Sequence, residues 1–366
     1  MTNLLEIFKI VPDFRLKRKR LHSLVDIIFI SICGIICGCQ DYVAIHLWAK
    51  DKENWLRKYI SLPNGIPSDD TLRRVFQILD YESFNRCFIK FTEDLCTLTS
   101  GEVIAFDGKC LRGSKDKSKG ANGLYVLGAW ASKNKLLLGQ LKVDEKSNEI
   151  VAMPKLLEIL HIKGCIVTAD ALNCQKDIAA KVIEKGADYL LAVKGNQGEL
   201  YTQIEQSFSL EAPTSIVETL EKDHGRIEKR TCRVMTNLQW IEARDDWEKL
   251  TTIVKVDTER TILSENKFSS DTRYFICSAD LSATKILEAV RSHWGIENTL
   301  HWSLDVTFQE DNKRNRIDNS AVNTAFLRRF TLNLLKKEKT KISIEHKRLK
   351  ANRDIDFLEK VIFNQN

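Results

Sequence analysis

The sequence predicts an α/β protein in which a helical amino-terminal domain precedes a sheet-containing domain with a β-rich insertion. Residues 1–100 place apolar side chains three and four positions apart, which is typical of amphipathic helices. From residue 101 onwards, short apolar runs and helical segments follow the order β-β-β-α-β-α-β. Residues 217–276 then return to short runs rich in β-branched and aromatic residues, which indicates the insertion.

The predicted helical domain, residues 1–100, contains four segments with helical spacing. They cover residues 26–38, 42–55, 70–79 and 84–98. The first belongs to an apolar stretch, 24–38, that contains Asp26 and is too short to span a bilayer comfortably, so we expect a buried helix there. Ser68 precedes Asp69 and Asp70, a pattern typical of the capped start of a helix.

The predicted α/β domain covers residues 101–335, with the insertion at about 198–280. Strand-like runs cover residues 103–106, 125–131, 136–143, 165–169 and 189–193, and helical spacing covers 153–160 and 174–185. After the insertion we expect one long helix from about 283 to 304 and a further helix at 319–335. Residues 336–366 are predicted to form a basic carboxyl-terminal tail.

The positive charge of the chain is concentrated in short segments. The chain has 56 Lys and Arg residues against 50 Asp and Glu residues, a net charge of +6. Basic side chains cluster at 336–353 and at 15–20, which indicates a polyanionic partner, although a solvated lysine-rich surface has the same composition. The ten cysteines include no C-x-x-C pair and the amino terminus lacks a secretory pattern, so we expect a cytoplasmic protein.

Two aspartates follow strand-like apolar runs, Asp107 after IAF and Asp170 after VTA. The carboxyl ends of parallel strands meet in one crevice, so two such carboxylates could share a cation. Each could instead form an Asx-turn or cap the next segment, which is common where strands end. The sequence alone leaves both interpretations open.

Glu297 is the third candidate acid. It belongs to a stripe of one helix face at steps of three and four residues, which predicts that its side chain points inward. The stripe comprises Leu287, Val290, Trp294, Glu297, His301, Leu304 and Phe308. A buried carboxylate needs a partner, which could be Arg291 or a lysine of the sheet in a salt bridge, or a divalent cation. Oxygen ligands without thiolates favour Mg²⁺ or Mn²⁺.

A zinc site formed by His293, Glu297 and His301 is an alternative on the same helix. It lacks the H-E-x-x-H order and would leave the two aspartates unexplained, so we favour the carboxylate site. A flexible basic loop at 109–119 follows Asp107 and fits a phosphodiester substrate, although a solvated hairpin loop would look similar. Its first cations are Lys109, Arg112 and Lys115, and smaller polar clusters surround Lys194 and Arg226.

Several motifs resemble those of the H-repeat-associated transposases of bacterial insertion sequences. They are IAFDGKCLRGS, IVTADALNCQKDIA, YLLAVKGNQ, HGRIEKR and RSHWGIENTLHWSLDVTFQEDNKRNR. The amino-terminal segments DFRLKRKRLHSLVDIIFI and LPNGIPSDDTLRRVF resemble the associated domain of the same family. The resemblance covers nearly the whole chain, and the HWGIENTLHW stretch is specific.

The resemblance implies a ribonuclease-H-like catalytic domain whose triad is Asp107, Asp170 and Glu297. Related transposases carry Tyr, Arg and Lys at set distances around the glutamate, but this chain has Val290, His293 and Leu304 there. DNA-contacting roles would therefore fall to other side chains. The candidates are Lys109, Arg112, Lys115, Lys194, Arg226, His293 and Asn298.

The residues and the resemblance together predict phosphoryl transfer on double-stranded DNA with two Mg²⁺ or Mn²⁺ ions held by the three acids. The expected substrates are element ends and target DNA, with a homodimer assembled on DNA at the nucleoid. A nuclease of the same fold that cuts without joining, and an inactive DNA-binding remnant of a transposase, are the alternatives.

Overall fold

A nine-stranded sheet runs through the protein in the order β3-β2-β1-β4-β5-β9-β8-β7-β6. The computed structural model describes residues 4–116, 122–143, 149–223 and 225–363. The strands are β1 Val103–Leu111, β2 Leu124–Ala131, β3 Leu136–Val143, β4 Ile166–Ala169, β5 Asp188–Val193, β6 Ser215–Asp223, β7 Arg226–Met235, β8 Thr252–Ile262 and β9 Lys267–Cys277.

The first five strands form the half of the sheet that was predicted from residue 101 onwards. β1, β2 and β3 are antiparallel neighbours, whereas β4 and β5 run parallel to β1. Two helices make the connections to the parallel strands, α7 Glu149–Ile159 and α8 Lys176–Glu184. The predicted order β-β-β-α-β-α-β is confirmed.

The other four strands form a continuous antiparallel extension of the sheet. β9 pairs with β5, and β8, β7 and β6 follow outward. The chain enters this part through α9 Gly198–Leu210 and leaves it into α10 Ala283–His293, which packs against β1, β4, β6 and β7. We call the outer ends of these strands, residues 218–223, 225–231 and 256–273, the arm.

Residues 4–95 fold into helices, as the sequence predicts. They are α1 Leu4–Phe8, α2 Leu24–Ile36, α3 Tyr42–Asp51, α4 Glu53–Leu56, α5 Asp69–Ile78 and α6 Tyr81–Leu95. The predicted helix at 42–55 is broken at Lys52, whose backbone leaves the helical region. Ser68 caps α5 as expected, because its hydroxyl accepts a hydrogen bond from the Thr71 amide. The apolar stretch forms α2, which is almost wholly buried.

One later helix, α12 Ser320–Lys337, joins the helical part of the chain to the sheet. Its Phe330 ring stacks on Phe91 of α6 with centroids 4.4 Å apart. On its other side, the Asn333 amide exchanges hydrogen bonds with the backbone of Leu137 in the edge strand β3. The edge strand is thus covered by a helix, which protects its unpaired backbone groups.

The predicted basic tail is instead a pair of helices, α13 Ile344–Arg353 and α14 Ile355–Phe363. Lys347 and Arg348 are buried: the Lys347 ammonium donates to the Leu335 carbonyl, and the Arg348 guanidinium to the Thr307 carbonyl. The prediction was wrong because long basic side chains pack their methylene stems while their charged ends find carbonyl oxygens. Across the described residues, no helix is both long and apolar enough to cross a membrane.

Candidate active site

Two predicted acids lie side by side at the carboxyl edge of the parallel strands. Phe106 of β1 pairs with Ala169 of β4, and the next residues are Asp107 and Asp170. Since neighbouring strands are about 4.8 Å apart, the two acids start from adjacent backbone positions. β1 does not end at Asp107, as the sequence suggested, but continues to Leu111 along its antiparallel partner β2. The half-buried Asp107 therefore lies within β1, with strand residues both before and after it in the chain.

Glu297 reaches the same edge from a wide helical turn. α10 ends at His293, and Ile296–His301 forms a π-helical turn in which the Trp302 amide bonds to the Glu297 carbonyl, five residues earlier. The long regular helix predicted for 283–304 was therefore wrong. Ile296 is buried and Glu297 is exposed, and Ile286 and Ala289 of α10 are also buried, so the buried stripe lies one position before the predicted one. Such π turns are frequent at functional sites.

Trp294, like Glu297, belongs to the stripe that was predicted to face inward, but its side chain faces outward. It is 40% exposed, while Leu287, Leu304 and Phe308 are buried as predicted. The Arg273 guanidinium, from the arm, lies 5.1 Å from the centre of the Trp294 ring. The turn that carries Glu297 is thus attached to the arm through a cation–π contact.

A fourth acid, Glu149, belongs to the cluster and was missed in the sequence. It begins α7, and the Asn173 amide donates hydrogen bonds of 3.1 Å both to its carboxylate and to that of Asp170. A side chain at Gly108 would collide with the Glu149 carboxylate. An acid in the first turn of a helix is common for structural reasons, so no local signal in the sequence distinguishes it.

The four carboxylates repel one another. Burial raises the pKa of Asp107 to about 7, with the charges of Glu297, Glu149 and Asp170 acting in the same direction. Burial, and then the Asp170 charge, also raises the pKa of Glu149. A divalent cation between these carboxylates would remove this repulsion. In the described ranges, however, no group of three His, Cys, Asp or Glu side chains already stands in metal-binding positions.

Comparisons with known proteins show the family of the chain. Residues 98–334 match the family described as "Transposase DDE domain", and residues 5–92 match "DDE_Tnp_1-associated". The chain belongs to the DDE transposase family. It is 38% identical over 372 residues to the "H repeat-associated putative transposase YhhI" of Escherichia coli K12, which covers 99% of this chain and 98% of that protein.

Other relatives include both full-length and short proteins. The "Putative transposase YncI" of Escherichia coli O157:H7 is 37% identical over 368 residues, 98% of this chain and 94% of that protein. The "Inactive transposase YbfQ" of Escherichia coli K12 is 35% identical over 75 residues, 20% of this chain and 89% of that protein.

Two histidines of this DDE transposase chain flank the acids and are neutral. Burial lowers the pKa of His301 to about 3 and that of His293 to about 4. His301 Nδ1 lies 3.6 Å from an Asp107 oxygen, and His293 Nδ1 lies 3.0 Å from the Thr168 hydroxyl. The two rings contact different strands, so the described structure gives no support to the zinc alternative. His293 faces β4 and not the solvent side where DNA was expected.

Lys109 is not available to DNA, contrary to the sequence prediction. It is buried, and its ammonium lies 2.7 Å from both carboxylate oxygens of Asp305 and 3.7 Å from Asp311. Asp107 and Lys109 are two residues apart on one strand and therefore share a face. The buried ion pairs connect β1 to α11 Trp302–Val306 and to the segment that follows it.

The other predicted cations are exposed. Arg112 and Lys115 lie beyond the end of β1, and Lys194 follows β5 at the same edge of the sheet as the acids. The loop after Lys194 also contacts the segment that follows Asp170, because the Asn196 side-chain amide donates a 2.7 Å hydrogen bond to the Ala171 carbonyl. Asn298 is exposed next to Glu297. Lys117, Lys119 and His224 lie outside the described residues.

Arg226 lies at the tip of the arm. Val193 ends β5 at the carboxyl edge of the sheet. It pairs with Tyr274, which pairs with Lys255, and Lys255 pairs with Arg233 of β7, so Arg233 is level with that edge. Arg226 stands seven residues further out on β7, about 23 Å at 3.3 Å per residue. The arm of this DDE transposase chain therefore extends past the edge on which the acids lie, and the structure does not bring Arg226 to them.

Proposed function

We propose that the protein is the transposase of an insertion sequence, which cuts the ends of the element and joins them to target DNA. Asp107, Asp170 and Glu297 would form the catalytic triad. The register of β1 and β4 carries this proposal, because it makes the two aspartates neighbours at one edge. The position of Glu297 supports it, since its charge acts on Asp107.

We propose that the catalytic domain, residues 101–335, has a ribonuclease-H-like fold. The strand order β3-β2-β1-β4-β5 supports this, with an antiparallel meander on one side of β1 and parallel strands on the other. The β-rich insertion at about 198–280 continues the sheet beyond β5. Residues 1–100 would form the domain that binds the element ends.

The chemistry of the donor set fits Mg²⁺ or Mn²⁺, as two ions held by the three acids, with Glu149 as a further carboxylate beside them. Oxygen donors suit these hard cations, and the neighbouring carboxylates that help to raise the pKa of Asp107 support the proposal. The bound cations would polarise the scissile phosphodiester and promote deprotonation of the attacking hydroxyl.

The protein's own groups would position the reactants. Water attacks the phosphorus at the element end and the bond to the 3′ oxygen breaks, which leaves a 3′-hydroxyl and a 5′-phosphate. The 3′-hydroxyl then attacks a target phosphodiester and releases a target 3′-hydroxyl, so no covalent protein intermediate is required. The neutral His301 ring packs beside Asp107, and Asn173 bridges Glu149 and Asp170, which fixes the carboxylates.

The exposed cations fit a DNA backbone on this side of the sheet. Arg112, Lys115 and Lys194 lie around the edge that holds the acids, and Arg226 lies on the arm beyond it. Contacts of this kind orient a duplex without reading its sequence. We further propose that two copies assemble on DNA, since two ends must be joined, and that the protein acts at the nucleoid.

A joining assay tests the proposed function. The full-length protein is incubated with Mg²⁺, a labelled duplex carrying the inverted repeat that flanks its gene, and a supercoiled target plasmid. The proposal predicts cut ends and labelled plasmid, both abolished by EDTA. Cutting without joining would identify a nuclease, and binding without cutting would identify an inactive remnant; either result would contradict the proposal.

A further inference from the structure

A cavity separate from the acids lies between the amino-terminal helices and the segment that follows α11. Its volume is about 320 Å³. One wall is formed by α2 and the start of α3, and the other by residues 308–315 and α12. The volume lies at the lower end of the range for small-molecule sites, which is about 300–1,000 Å³.

The charged side chains on the cavity wall are mostly cations. They are Lys313, Arg314 and Arg328, against the single carboxylate of Asp41. One Asp41 oxygen caps α3 by accepting a 2.8 Å hydrogen bond from the Ala44 amide. The wall therefore presents an excess of positive charge to whatever enters it.

Among these cations, Arg328 is buried, with only 6% of its surface exposed, and its charge is poorly neutralised. Its nearest carboxylate in the described structure, Glu310, lies 3.9 Å away and already accepts two hydrogen bonds from Arg329. Two buried guanidinium groups thus share one carboxylate. A buried cation without a close partner carries a large free-energy cost, which an anion in the cavity would remove.

Arg348 adds positive charge from behind the wall. Its guanidinium packs 4.5 Å from the ring centre of Phe308, which lines the cavity, and its Nη2 is buried without a hydrogen-bond partner in the described structure. Burial lowers the pKa of Lys313, and the charges of Arg328 and Arg348 lower it further. The cations therefore repel one another, and a bound anion would relieve this repulsion.

The rest of the wall is apolar and aromatic. It includes Ile35, Tyr42, Ile45, Phe308 and Leu327. One water occupies about 30 Å³, so a single phosphate, which is only a few times larger than a water, would fill only part of this volume. We propose that the cavity binds a phosphate group together with the nucleoside attached to it, with the phosphate on Arg328 and Lys313 and the nucleoside on the apolar wall. The source is either a free nucleotide or the 5′-phosphorylated end of a DNA strand.

Calorimetric titration of the full-length protein, without Mg²⁺ and at constant ionic strength, tests this proposal. The probes are deoxyadenosine 5′-phosphate, inorganic phosphate and an octanucleotide with or without a 5′-phosphate. We expect phosphate-dependent binding that weakens about tenfold in Lys313→Gln, a loss of about 1.4 kcal/mol. Lys90→Gln, an exposed lysine on α6, is the matched control and should bind like the wild type.

Arg314→Gln provides a second test at an exposed position of the wall, where a folding defect is not expected. Preference for the phosphorylated octanucleotide over the free nucleotide would identify a DNA end as the source, and the reverse would identify a free nucleotide. Affinities that are equal in the wild type, Lys313→Gln and Arg314→Gln, or no phosphate-dependent binding, would overturn the proposal. Because no cleavage is measured, failure of the proposed catalytic function would not alter this result.

Discussion

At Asp107, burial and three neighbouring carboxylates oppose ionisation, so the metal-free protein is destabilised at neutral and alkaline pH. The pKa of this carboxyl is about 7 in the folded protein and near 3.8 when unfolded. The native state therefore holds the proton more tightly, and stability falls as the pH rises from about 4 to about 7. The same repulsion would be relieved by a divalent cation, which couples stability to metal binding.

Asp107→Asn should stabilise the metal-free protein by about 2 kcal/mol at pH 8, because one pKa unit corresponds to about 1.4 kcal/mol and partial exposure screens the effect. The side chain is 21% exposed. Urea unfolding at several pH values measures this gain, which should grow from pH 4 to pH 7 and then level off. A gain that is independent of pH, or a loss of stability, would contradict the described electrostatics.

Lys109 supports the structure, and its removal should therefore affect folding. Lys109→Gln would leave Asp305 and Asp311 without their buried cation, with an expected loss of about 1–3 kcal/mol. Lys115→Gln, at an exposed position on the same segment, is the control and should leave the unfolding free energy unchanged within about 0.5 kcal/mol. Equal stability of the two variants would mean that Lys109 does not hold β1 to the segment after α11.

At the level of elements, β1 continues past the acids, and the turn that follows it packs closely against residues 311–313. A side chain at Gly113 would meet the backbone carbonyl oxygens of Asp311 and Lys313, which cannot move aside as a flexible side chain can. The tight contact fixes the chain that leads from the Glu297 turn to the cavity. Gly113 therefore has a packing role that links two parts of the molecule.

Gly113→Ala should lower the unfolding free energy by about 1–3 kcal/mol because the added methyl group overpacks this contact. Gly195→Ala is the matched control, since a methyl group there would meet nothing within 4 Å. Thermal unfolding of both variants measures the difference. A Gly113→Ala protein as stable as the Gly195→Ala protein would rule out the close approach of the two segments.

The elements differ in how well the sequence predicts them. The sequence pattern was sufficient to find β1 to β5, α5 and α12, because apolar runs mark the strands and spacings of three and four residues mark the helices. It failed at Glu297, because the buried stripe of this segment runs through Ala289 and Ile296, one position before the predicted stripe. It also failed at Lys347 and Arg348, since charge alone does not reveal that backbone carbonyls accept their hydrogen bonds.

The acid cluster was likewise only partly predictable from the sequence. Asp107 and Asp170 could be found because each follows an apolar strand, and the family resemblance added Glu297. Glu149 could not be found, because its membership depends on how α7 is placed against Asn173 and Gly108. Long-range packing of this kind leaves no local pattern in a single sequence.

On the scale of the whole molecule, one continuous sheet joins the acid edge to the arm. β9 pairs with β5, and β8, β7 and β6 follow it, so the arm extends from the level of the acids outward. Arg291 on α10 forms two hydrogen bonds with Glu221 of the arm, which holds it beside the Glu297 turn. A duplex bound at the acids would thus pass along the arm.

Arg226→Gln should weaken binding of all duplexes alike and reduce the log–log slope of affinity against salt by about 0.9, the value for one lost phosphate contact. Lys163→Gln, an exposed residue just before β4 at the opposite edge of the sheet, is the control. Fluorescence anisotropy over a range of salt concentrations measures both slopes. Identical slopes for Arg226→Gln and the wild type would exclude the arm tip from the DNA interface.

Asp107, Asp170 and Glu297 are proposed to act together as the cation-dependent catalytic centre. Single-turnover cleavage of element-end DNA in Mg²⁺ tests this proposal most directly, with Asp107→Asn, Asp170→Asn and Glu297→Gln each compared with the wild type. Two variants, Asp177→Asn and Glu288→Gln, serve as matched controls because they remove exposed acids from α8 and α10. We expect each triad variant to bind the DNA but to lose cleavage by at least about 1,000-fold, roughly 4 kcal/mol of transition-state stabilisation, while the controls cleave normally. Near-normal cleavage by any one triad variant would contradict the assignment of that residue.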